Sequence, residues 1–363
     1  MDIVTDNVEK YLKDVFGGEV TVTSVAEIGG VSADELKGFG YGKPYMINFK
    51  VGSEEKSVVL SSMRGDSFGH DHFSDRAQIL IWQHSTFARL PKHVKSLDSG
   101  YFTSKGELKS AGDAEEYFIL CEKISGSEYF LDLERIKEEG LTELDRERVV
   151  ALSTYLAEIH AVKEDNKDLY TRRVRDLVGH GECIFGIMDS YPKGLDYITE
   201  EELVKLEKKC IEWRWKLKDF SHRLCMVHGD YHPWNIMFRE GTDFTLLDRS
   251  RGEWGEAADD LSSITINYLF YSLNKYGILD NEFKELFELF FDNYLEETGD
   301  EDILSVIQPF FLFRGLVVAS PVWYPNIEVE IRNKLFNFMK NVIASDKFDP
   351  KHVNDYLMDQ DQV

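Results

Sequence analysis

The chain has 363 residues, of which 43% are hydrophobic and 13% aromatic, so it is long enough for about two domains and is not globally disordered. Its 66 Asp and Glu residues outnumber the 42 Lys and Arg residues, which gives a formal net charge of −24. This acidity argues against a broad electrostatic surface for nucleic acid or for anionic membranes.

Strand patterns dominate the first third of the chain. After an amphipathic helix, runs of β-branched or alternating residues predict strands, and one further helix follows them. The apolar run YFILCEKI is typical of a buried strand. The predicted elements are a helix at Val8–Phe16, strands at Val20–Ile28, Tyr45–Val51 and Ser57–Met63, a helix at Ser74–Phe87, and strands at Val94–Gly100 and Tyr117–Ile124.

Apolar residues at helical spacing dominate from Asp145 onward. One short interruption, Ile236–Arg239 and Phe244–Leu247 around the turn EGTD, predicts a hairpin. The predicted helices span Arg146–Val162, Leu203–Leu217, Asp259–Tyr276, Asn281–Thr298, Ile303–Ala319 and Val329–Ala344. These two textures predict an α+β fold with a strand-rich lobe at residues 1–125 and a helical lobe at residues 126–363, with a small molecule bound between the lobes.

Targeting and metal-binding cysteine patterns are not found in the sequence. The N-terminal stretch has acids where a signal peptide needs basic residues, and no stretch approaches the ~18 apolar residues of a membrane span. The four cysteines have no CxxC or CxxH spacing, so we expect neither a zinc site nor a disulfide framework. We expect a cytoplasmic protein that binds neither a membrane nor nucleic acid.

The most informative segment for chemistry is Cys225–Leu261. It contains His228-Gly229-Asp230, then Asn235, and then Asp248 after the apolar run TLL. Phosphoryl transfer needs a carboxylate for the acceptor hydroxyl and hard oxygen ligands that hold Mg²⁺ against nucleotide phosphates. A loop before a hairpin and an acid directly after it can converge on one point.

These residues carry a resemblance to a known family. HGDYHPWN followed by LLDRSRG resembles the HGDxHxxN…DxD motif of the aminoglycoside phosphotransferase/choline kinase family, small-molecule relatives of the protein kinases. The resemblance implies a protein-kinase-like two-lobe fold whose N-terminal lobe binds the nucleotide. It also implies ATP or GTP as phosphoryl donor, Mg²⁺ as cofactor and a small-molecule hydroxyl as acceptor.

The resemblance also implies roles for individual residues. Asp230 would be the catalytic base, and Asn235 and Asp248 would be the Mg²⁺ ligands. FILCEKISG resembles the hinge of the family, where main-chain atoms of Glu122 and Ile124 would contact adenine. Four further residues resemble family positions that orient or anchor the catalytic loop rather than react, namely His160, His228, Asp259 and Asp260.

The sequence departs from the family at the phosphate-binding elements. Gly29 and Gly30, directly after the first predicted strand, are the better candidates for a phosphate loop. The strand SVVLSSMR lacks the expected lysine, so Arg64 at its end is the candidate replacement, with Asp75 as its carboxylate partner. The second chelating Asp that often follows Asp248 is also missing.

Several clusters have two interpretations. Five arginines either bind an anionic acceptor through their guanidinium groups or form surface ion pairs, namely Arg172, Arg173, Arg175, Arg249 and Arg251. For GHDHFSD a polar loop is favoured over a transition-metal site. For Trp213 and Trp215 packing is favoured over a box for a quaternary ammonium, because i, i+2 spacing points the two rings to different sides of a helix.

The sequence therefore predicts an ATP- and Mg²⁺-dependent phosphotransferase that acts on a hydroxyl of an aminoglycoside-like, sugar-like or amino-alcohol-like molecule. Two alternatives stay open. One is a catalytically idle, kinase-like nucleotide-binding protein, which the missing lysine favours. The other is an atypical protein kinase, which the lack of an activation segment ending in APE disfavours.

Overall fold

The computed structural model describes residues 4–28 and 42–359. The chain divides into two compact units, Met1–Cys121 and Glu122–Val363. Among the described residues, no helix has the length and apolar character that crossing a membrane requires.

A three-stranded antiparallel sheet, β1–β2–β3, is the main element of the first unit. Alternation along β2 turns Ile47 and Phe49 inward, where they pack with Val8 and Leu12 of the first helix. The elements are α1 (Thr5–Phe16), β1 (Val20–Glu27), β2 (Gly42–Val51), β3 (Glu54–Met63), α2 (Phe73–Phe87) and the hairpin β4 (Gly100–Phe102) with β5 (Leu108–Ser110). The predicted helices and the first three predicted strands of this unit are confirmed.

Two predicted strands of the first unit are wrong. Val94–Gly100 is irregular up to Gly100, where β4 begins. Tyr117–Ile124 contains no strand, and Phe118, Ile119 and Leu120 are 92%, 85% and 91% exposed. The apolar run suggested burial, but a strand also needs a hydrogen-bonding partner, and this segment pairs with no strand that the structure describes.

The second unit is built mainly from helices. Its helices are α3 (Tyr129–Glu139), α4 (Glu143–His160), α5 (Lys167–Gly179), α6 (Ile184–Asp189), α7 (Glu200–Leu217), α8 (Ala257–Tyr276), α9 (Asn281–Thr298), α10 (Gln308–Ala319) and α11 (Val329–Ala344). Short 3-10 helices lie at Lys218–Arg223, Pro233–Asn235, Glu301–Ser305 and Val353–Leu357.

Nearly all residues of helix α8 are buried, and small and apolar residues lie on every side of it. A helix with this pattern lies inside the core, so α8 is at the centre of this unit. It packs against α9 and α10, and α4 packs against α9. A cluster of phenylalanines fills the surrounding core, with Phe283, Phe287, Phe290 and Phe311 fully buried. The helical unit therefore has a large apolar core that can hold buried charges in fixed positions.

The predicted helices of this unit are confirmed with one correction. Ile303–Ala319 is not one helix, because Glu301–Ser305 is a 3-10 helix and α10 begins at Gln308. Pro309 explains the break, since proline lacks a backbone N–H and is tolerated only in the first turn of a helix. The sequence analysis did not predict α3, α5 and α6.

Two small sheets position the candidate site. The predicted hairpin is confirmed as β8 (Ile236–Phe238) and β9 (Phe244–Leu246), joined by β6 (Ser127–Glu128). The second sheet pairs β7 (Cys225–Met226) with β10 (Trp254–Gly255) in antiparallel register. These pairings hold both ends of the segment from residue 227 to residue 253, which contains the predicted catalytic and metal residues.

Candidate active site

The carboxylate of Asp260 holds the backbone of the loop after β7. One carboxylate oxygen of Asp260 accepts the backbone N–H of His228 at 2.7 Å, and the other accepts that of Gly229 at 2.7 Å. His160 contacts the same carboxylate through Nε2 at 3.2 Å. Burial opposes ionisation of Asp260, but the hydrogen bonds and charges of His160 and His228 outweigh it and lower its pKa. Asp260 is therefore a fixed anion that holds the loop, as its position in the sequence predicts.

Gly229 has a conformation that the loop requires. Its φ is +85°, and a Cβ at this position would lie 3.1 Å from Cβ of Arg251. Both the left-handed backbone and the close approach favour glycine. The chain can therefore turn sharply before Asp230 and bring its carboxylate beside Arg251.

The carboxylate of Asp230 lies among cationic side chains and is mostly buried. Oδ1 accepts a hydrogen bond from Nη1 of Arg314 at 2.6 Å and lies 3.9 Å from Nε of Arg251, and Oδ2 lies 3.6 Å from Nε2 of His232. Burial opposes ionisation, but His232, Arg314 and Arg251 together lower the pKa of Asp230. Asp230 is therefore ionised at neutral pH and can accept a hydrogen bond from an acceptor hydroxyl.

Arg314 is a site residue that the sequence analysis missed. It lies on α10, far from the motif in sequence, and it also donates to the carboxylate of Asp259. A signal for it exists in the sequence PFFLFRGLVVA, where one arginine interrupts an otherwise apolar helix. An isolated charge at a core position is almost always paired, so this pattern predicts a buried partner without identifying it.

Two hydrogen bonds of Leu247 hold the segment that contains Asp248 beside the loop that contains Asn235. The N–H of Leu247 donates to the carbonyl of Asn235 at 2.8 Å, and Nε2 of His228 donates to the carbonyl of Leu247 at 2.9 Å. Asp248 follows directly, is exposed and has a φ of 51°. A left-handed conformation at a residue other than glycine is uncommon and is found preferentially at functional sites.

The oxygens of Asn235 and Asp248 suit a hard cation such as Mg²⁺. Asn235 uses its Nδ2 to donate to the carbonyl of Asp230 at 3.1 Å, which leaves its Oδ1 oxygen unbonded within the described residues. The Asp248 carboxylate likewise accepts no hydrogen bond from the part of the chain that the structure describes. A cavity of about 200 Å³ lies beside Asp248 and is lined in part by Tyr155 and His228.

No cluster of three His, Cys, Asp or Glu side chains that could hold a metal ion occurs among residues 4–28 and 42–359. Mg²⁺ at a nucleotide commonly takes only one or two protein oxygens and completes its shell with phosphates and water. The donor set of Asn235 and Asp248 therefore fits the predicted cofactor.

The five predicted substrate arginines have different surroundings. Arg249 donates from Nε and Nη2 to the carbonyl of Val227, at 3.0 and 2.7 Å, so it braces the loop backbone. Nη1 of Arg251 donates to the carbonyl of Glu182, while its buried Nε has no hydrogen-bond partner in the part of the chain that the structure describes.

The other three arginines lie on α5. Arg172 and Arg175 contact the carboxylate of Asp176, at 3.4 and 3.8 Å. Nη1 of Arg173 would lie 3.8 Å from a Cβ at Gly252, next to Arg251. The structure thus places Arg173 beside Gly252 and Arg251 beside Asp230, whereas Arg172 and Arg175 form ion pairs along their own helix.

The predicted nucleotide contacts lie in the first unit and at the start of the second. Gly29 and Gly30 lie outside the described residues. Glu122 is exposed and Ile124 half-buried, and their main-chain groups make no hydrogen bond within the described residues.

The predicted ion pair between Arg64 and Asp75 is wrong. Arg64 follows β3 and is exposed, whereas Oδ2 of Asp75 accepts the backbone N–H of His72 at 2.8 Å and caps α2. A carboxylate at the third position of a helix readily completes such a capping box. Arg64 itself is left without an ion pair among the described residues.

The two minor clusters have the structural roles that the sequence favoured. His70 contacts Asp66 through Nδ1 at 3.0 Å, and Arg76 donates to the carbonyl of His70 at 2.6 Å, as in a polar loop. Trp213 is buried and donates from Nε1 to the carbonyl of Ile343 at 2.8 Å, while Trp215 is 63% exposed. The two indole rings therefore do not form a box.

Comparison with known proteins gives one family. Residues 109–274, a little under half of the chain, match the family APH, described as phosphotransferase enzyme family. The match confirms the predicted resemblance and the protein-kinase-like α+β fold class, and it includes Asp230, Asn235 and Asp248. It supports a phosphotransferase that acts on small molecules. No curated protein sequence matches the chain.

Solved structures of kinases are similar to the chain at low identity. Ethanolamine kinase of Plasmodium vivax is 15% identical, with 92% of this chain and 80% of that chain covered and a TM-score of 0.36. Amicoumacin kinase hAmiN, in complex with AMP-PNP, Ca²⁺ and Ami, is 16% identical, with 90% of each chain covered and a TM-score of 0.40. Choline kinase LicA of Streptococcus pneumoniae is 12% identical, with 93% and 98% covered and a TM-score of 0.35.

Proposed function

We propose that the protein transfers the γ-phosphoryl group of ATP or GTP, with Mg²⁺, to a hydroxyl group of a small molecule. The observation that carries this proposal is the set of hydrogen bonds that link the segments of the three motif residues. Hydrogen bonds through Leu247 join the loop of Asp230 and Asn235 to the segment of Asp248. These are the groups that phosphoryl transfer requires, and they lie within the region that matches the phosphotransferase family.

Asp230 would orient the acceptor hydroxyl and take its proton. Its lowered pKa makes it a weak base but keeps it ionised, so its main contribution is a fixed hydrogen-bond acceptor. This suits phosphoryl transfer, because the transition state is largely dissociative and positioning and electrostatics supply most of the catalysis.

Asn235 and Asp248 would hold the metal ion through Oδ1 and the carboxylate. A bound Mg²⁺ would neutralise charge on the β- and γ-phosphates. Hydrogen bonds of Leu247 with Asn235 and His228 link the two segments. Main-chain atoms of Glu122 and Ile124 would contact the base, and Gly29, Gly30 and Arg64 are the proposed contacts of the phosphates.

One observation favours the alternative of an idle nucleotide-binding protein. The strand β3 carries no lysine near its end, and within the described residues Arg64 forms no ion pair with Asp75, its predicted partner. Such a protein would bind a nucleotide with Mg²⁺ but would not transfer the phosphoryl group.

The test is thermal unfolding with ATP, GTP or ADP, each with and without Mg²⁺, followed by transfer of radiolabelled γ-phosphate to a panel of amino alcohols, sugars and aminoglycosides. A nucleotide at 100 times its Kd adds ~2.7 kcal/mol to the free energy of unfolding. We expect Mg²⁺-dependent stabilisation that Asp248→Asn abolishes, and transfer to at least one acceptor. Stabilisation without transfer would favour the idle protein, and no stabilisation by any nucleotide would contradict both.

A further inference from the structure

Arg314 is a buried charge in the middle of an apolar helix. It is 5% exposed on α10, where Phe310, Phe311 and Leu316 around it are buried in the core. A guanidinium group without partners in such surroundings is strongly destabilising, so its position depends on the groups that it contacts.

The guanidinium of Arg314 contacts three acceptors. Nε and Nη2 donate to Oδ1 of Asp259, at 3.1 and 2.6 Å. Nη2 also donates to the carbonyl of Gly229 at 2.8 Å, and Nη1 donates to Oδ1 of Asp230 at 2.6 Å. The side chain therefore joins the start of α8 to two consecutive residues of the catalytic loop.

Balancing the positive charge of the buried Arg314 does not require all three of its acceptors. Asp259 alone supplies a countercharge through two hydrogen bonds. The contacts with Gly229 and Asp230 are additional, and they fix both the backbone before the carboxylate and the carboxylate itself. The planar guanidinium suits this task, because it presents several donors in one rigid arrangement.

The two oxygens of Asp230 consequently differ. Oδ1 is held by Arg314 and lies near Arg251, whereas the only described contact of Oδ2 is with His232, at the longer distance of 3.6 Å. Oδ2 is the oxygen that remains available to a ligand hydroxyl.

We propose that Arg314 is a positioning residue for phosphoryl transfer, which fixes the Asp230 carboxylate so that Oδ2 receives the acceptor hydroxyl. This inference rests on the proposed function. It predicts that the loss of Arg314 lowers turnover with little effect on nucleotide affinity, because Arg314 contacts none of the proposed nucleotide ligands.

The experiment compares Arg314→Met, Arg314→Lys and the control Arg332→Met. Arg332 is also a buried arginine of this unit, but it donates to the carbonyls of Ala319 and Tyr324 instead of the catalytic loop. For each protein the melting temperature, kcat and KM for ATP are measured, with the acceptor found in the screen and with water as acceptor.

Arg314→Met should lower kcat ~10²-fold, as expected when a catalytic group is displaced by about 1 Å, with KM for ATP almost unchanged. Arg314→Lys should recover part of kcat. Its ammonium group can reach Oδ1 of Asp230, but it cannot reproduce the several fixed donors of the guanidinium group. Arg332→Met should lower the melting temperature without a selective loss of kcat. An Arg314→Met protein with near wild-type kcat, or an equal loss in Arg332→Met, overturns the proposal.

Two further outcomes are covered by the same set of proteins. If Arg314→Met does not fold, Arg314→Lys tests the proposal instead. Full activity of Arg314→Lys would contradict the need for the fixed donors of the guanidinium group. If the wild type transfers no phosphate at all, the proposed function fails separately, and backbone hydrogen exchange then tests the positioning contact. Faster exchange in residues 228–235 of Arg314→Met or Arg314→Lys, but not of Arg332→Met, supports the contact, and unchanged exchange overturns it.

Discussion

The imidazole of His228 donates from Nε2 to the backbone carbonyl of Leu247 at 2.9 Å. His228 lies two residues before Asp230, and Leu247 lies directly before Asp248. This contact therefore links the segment of the proposed catalytic carboxylate to that of the proposed metal ligand.

The contact predicts a specific defect for His228→Ala. We expect kcat to fall by ~10- to 100-fold and the Mg²⁺ concentration for half-maximal activity to rise, because Asp248 is no longer held in register with Asp230. The free energy of unfolding should fall by about 1–3 kcal/mol, as for the loss of a buried hydrogen bond. Initial rates over a Mg²⁺ titration and urea unfolding measure the two effects. An unchanged Mg²⁺ dependence would contradict the proposed link.

The position of Asp230 among Arg314, Arg251 and His232 predicts that its removal strongly lowers activity. We expect Asp230→Asn to lower kcat ~10³-fold or more, because an amide cannot orient and accept the hydroxyl proton as a carboxylate does. Arg314 keeps Asp259 as a partner, so no buried charge is left alone.

Turnover and melting temperature of Asp230→Asn, measured beside the wild type, check this expectation. Activity above a tenth of wild type would rule out Asp230 as the catalytic group. A large loss of melting temperature would show instead that Asp230 mainly stabilises the fold.

The pKa of Asp260 predicts how the stability of the protein depends on pH. Its folded-state pKa is lowered from the ordinary value of 3.8, so its stabilising contribution is complete above about pH 4 and is lost as the pH falls through the lower folded value. Asp260→Asn has no carboxyl group to titrate. Its amide offers one acceptor oxygen, so it can accept only one of the two backbone N–H groups of the loop. We expect it to unfold more easily by about 1–3 kcal/mol at neutral pH, with the difference narrowing below about pH 4.

Urea unfolding of both proteins across this pH range measures the difference. Asp243→Asn is the matched control, because Asp243 pairs with Arg239 at the surface and should change stability little. A difference that stays constant with pH would mean that Asp260 does not act through its charge.

Local patterns were sufficient to predict much of the fold. The bounds of α9 and α11 were predicted to the residue, because each has a clear apolar face. The glycine after α9 also adopts the left-handed conformation that ends a helix. The residues Asp230, Asn235 and Asp248 were proposed from their resemblance to a family motif that lies within one short segment.

Long-range partners could not be predicted from such patterns. Arg314 is visible as an unusual residue in its helix, but nothing in the sequence indicates that it reaches Asp230. Asp75 was predicted to pair with Arg64, whereas a local backbone N–H at His72 is its partner. The exposed run Phe118–Leu120 shows the same limit, because apolar character indicates a preference for burial and does not specify a neighbour.

The four cysteines give a direct test of the proposed adenine contact. Burial raises the pKa of Cys183 to about 11 and that of Cys210 to about 12, and it also raises the pKa of Cys225. Because the thiolate is the reactive form, these three side chains should react slowly with iodoacetamide near pH 8. Cys121 is exposed and directly precedes Glu122, so it should account for a single fast phase that Cys121→Ser removes.

A nucleotide bound through the main chain of Glu122 and Ile124 should cover Cys121. We expect ATP with Mg²⁺ to slow the alkylation of Cys121 in proportion to the fraction of protein that has ATP bound. Tripolyphosphate, which lacks the adenine base, should give no protection when it is added with Mg²⁺. Mass spectrometry of the labelled peptide measures the rate. Unchanged labelling under conditions in which ATP raises the melting temperature would show that the base binds away from this segment, and the assignment of Glu122 and Ile124 would then be wrong.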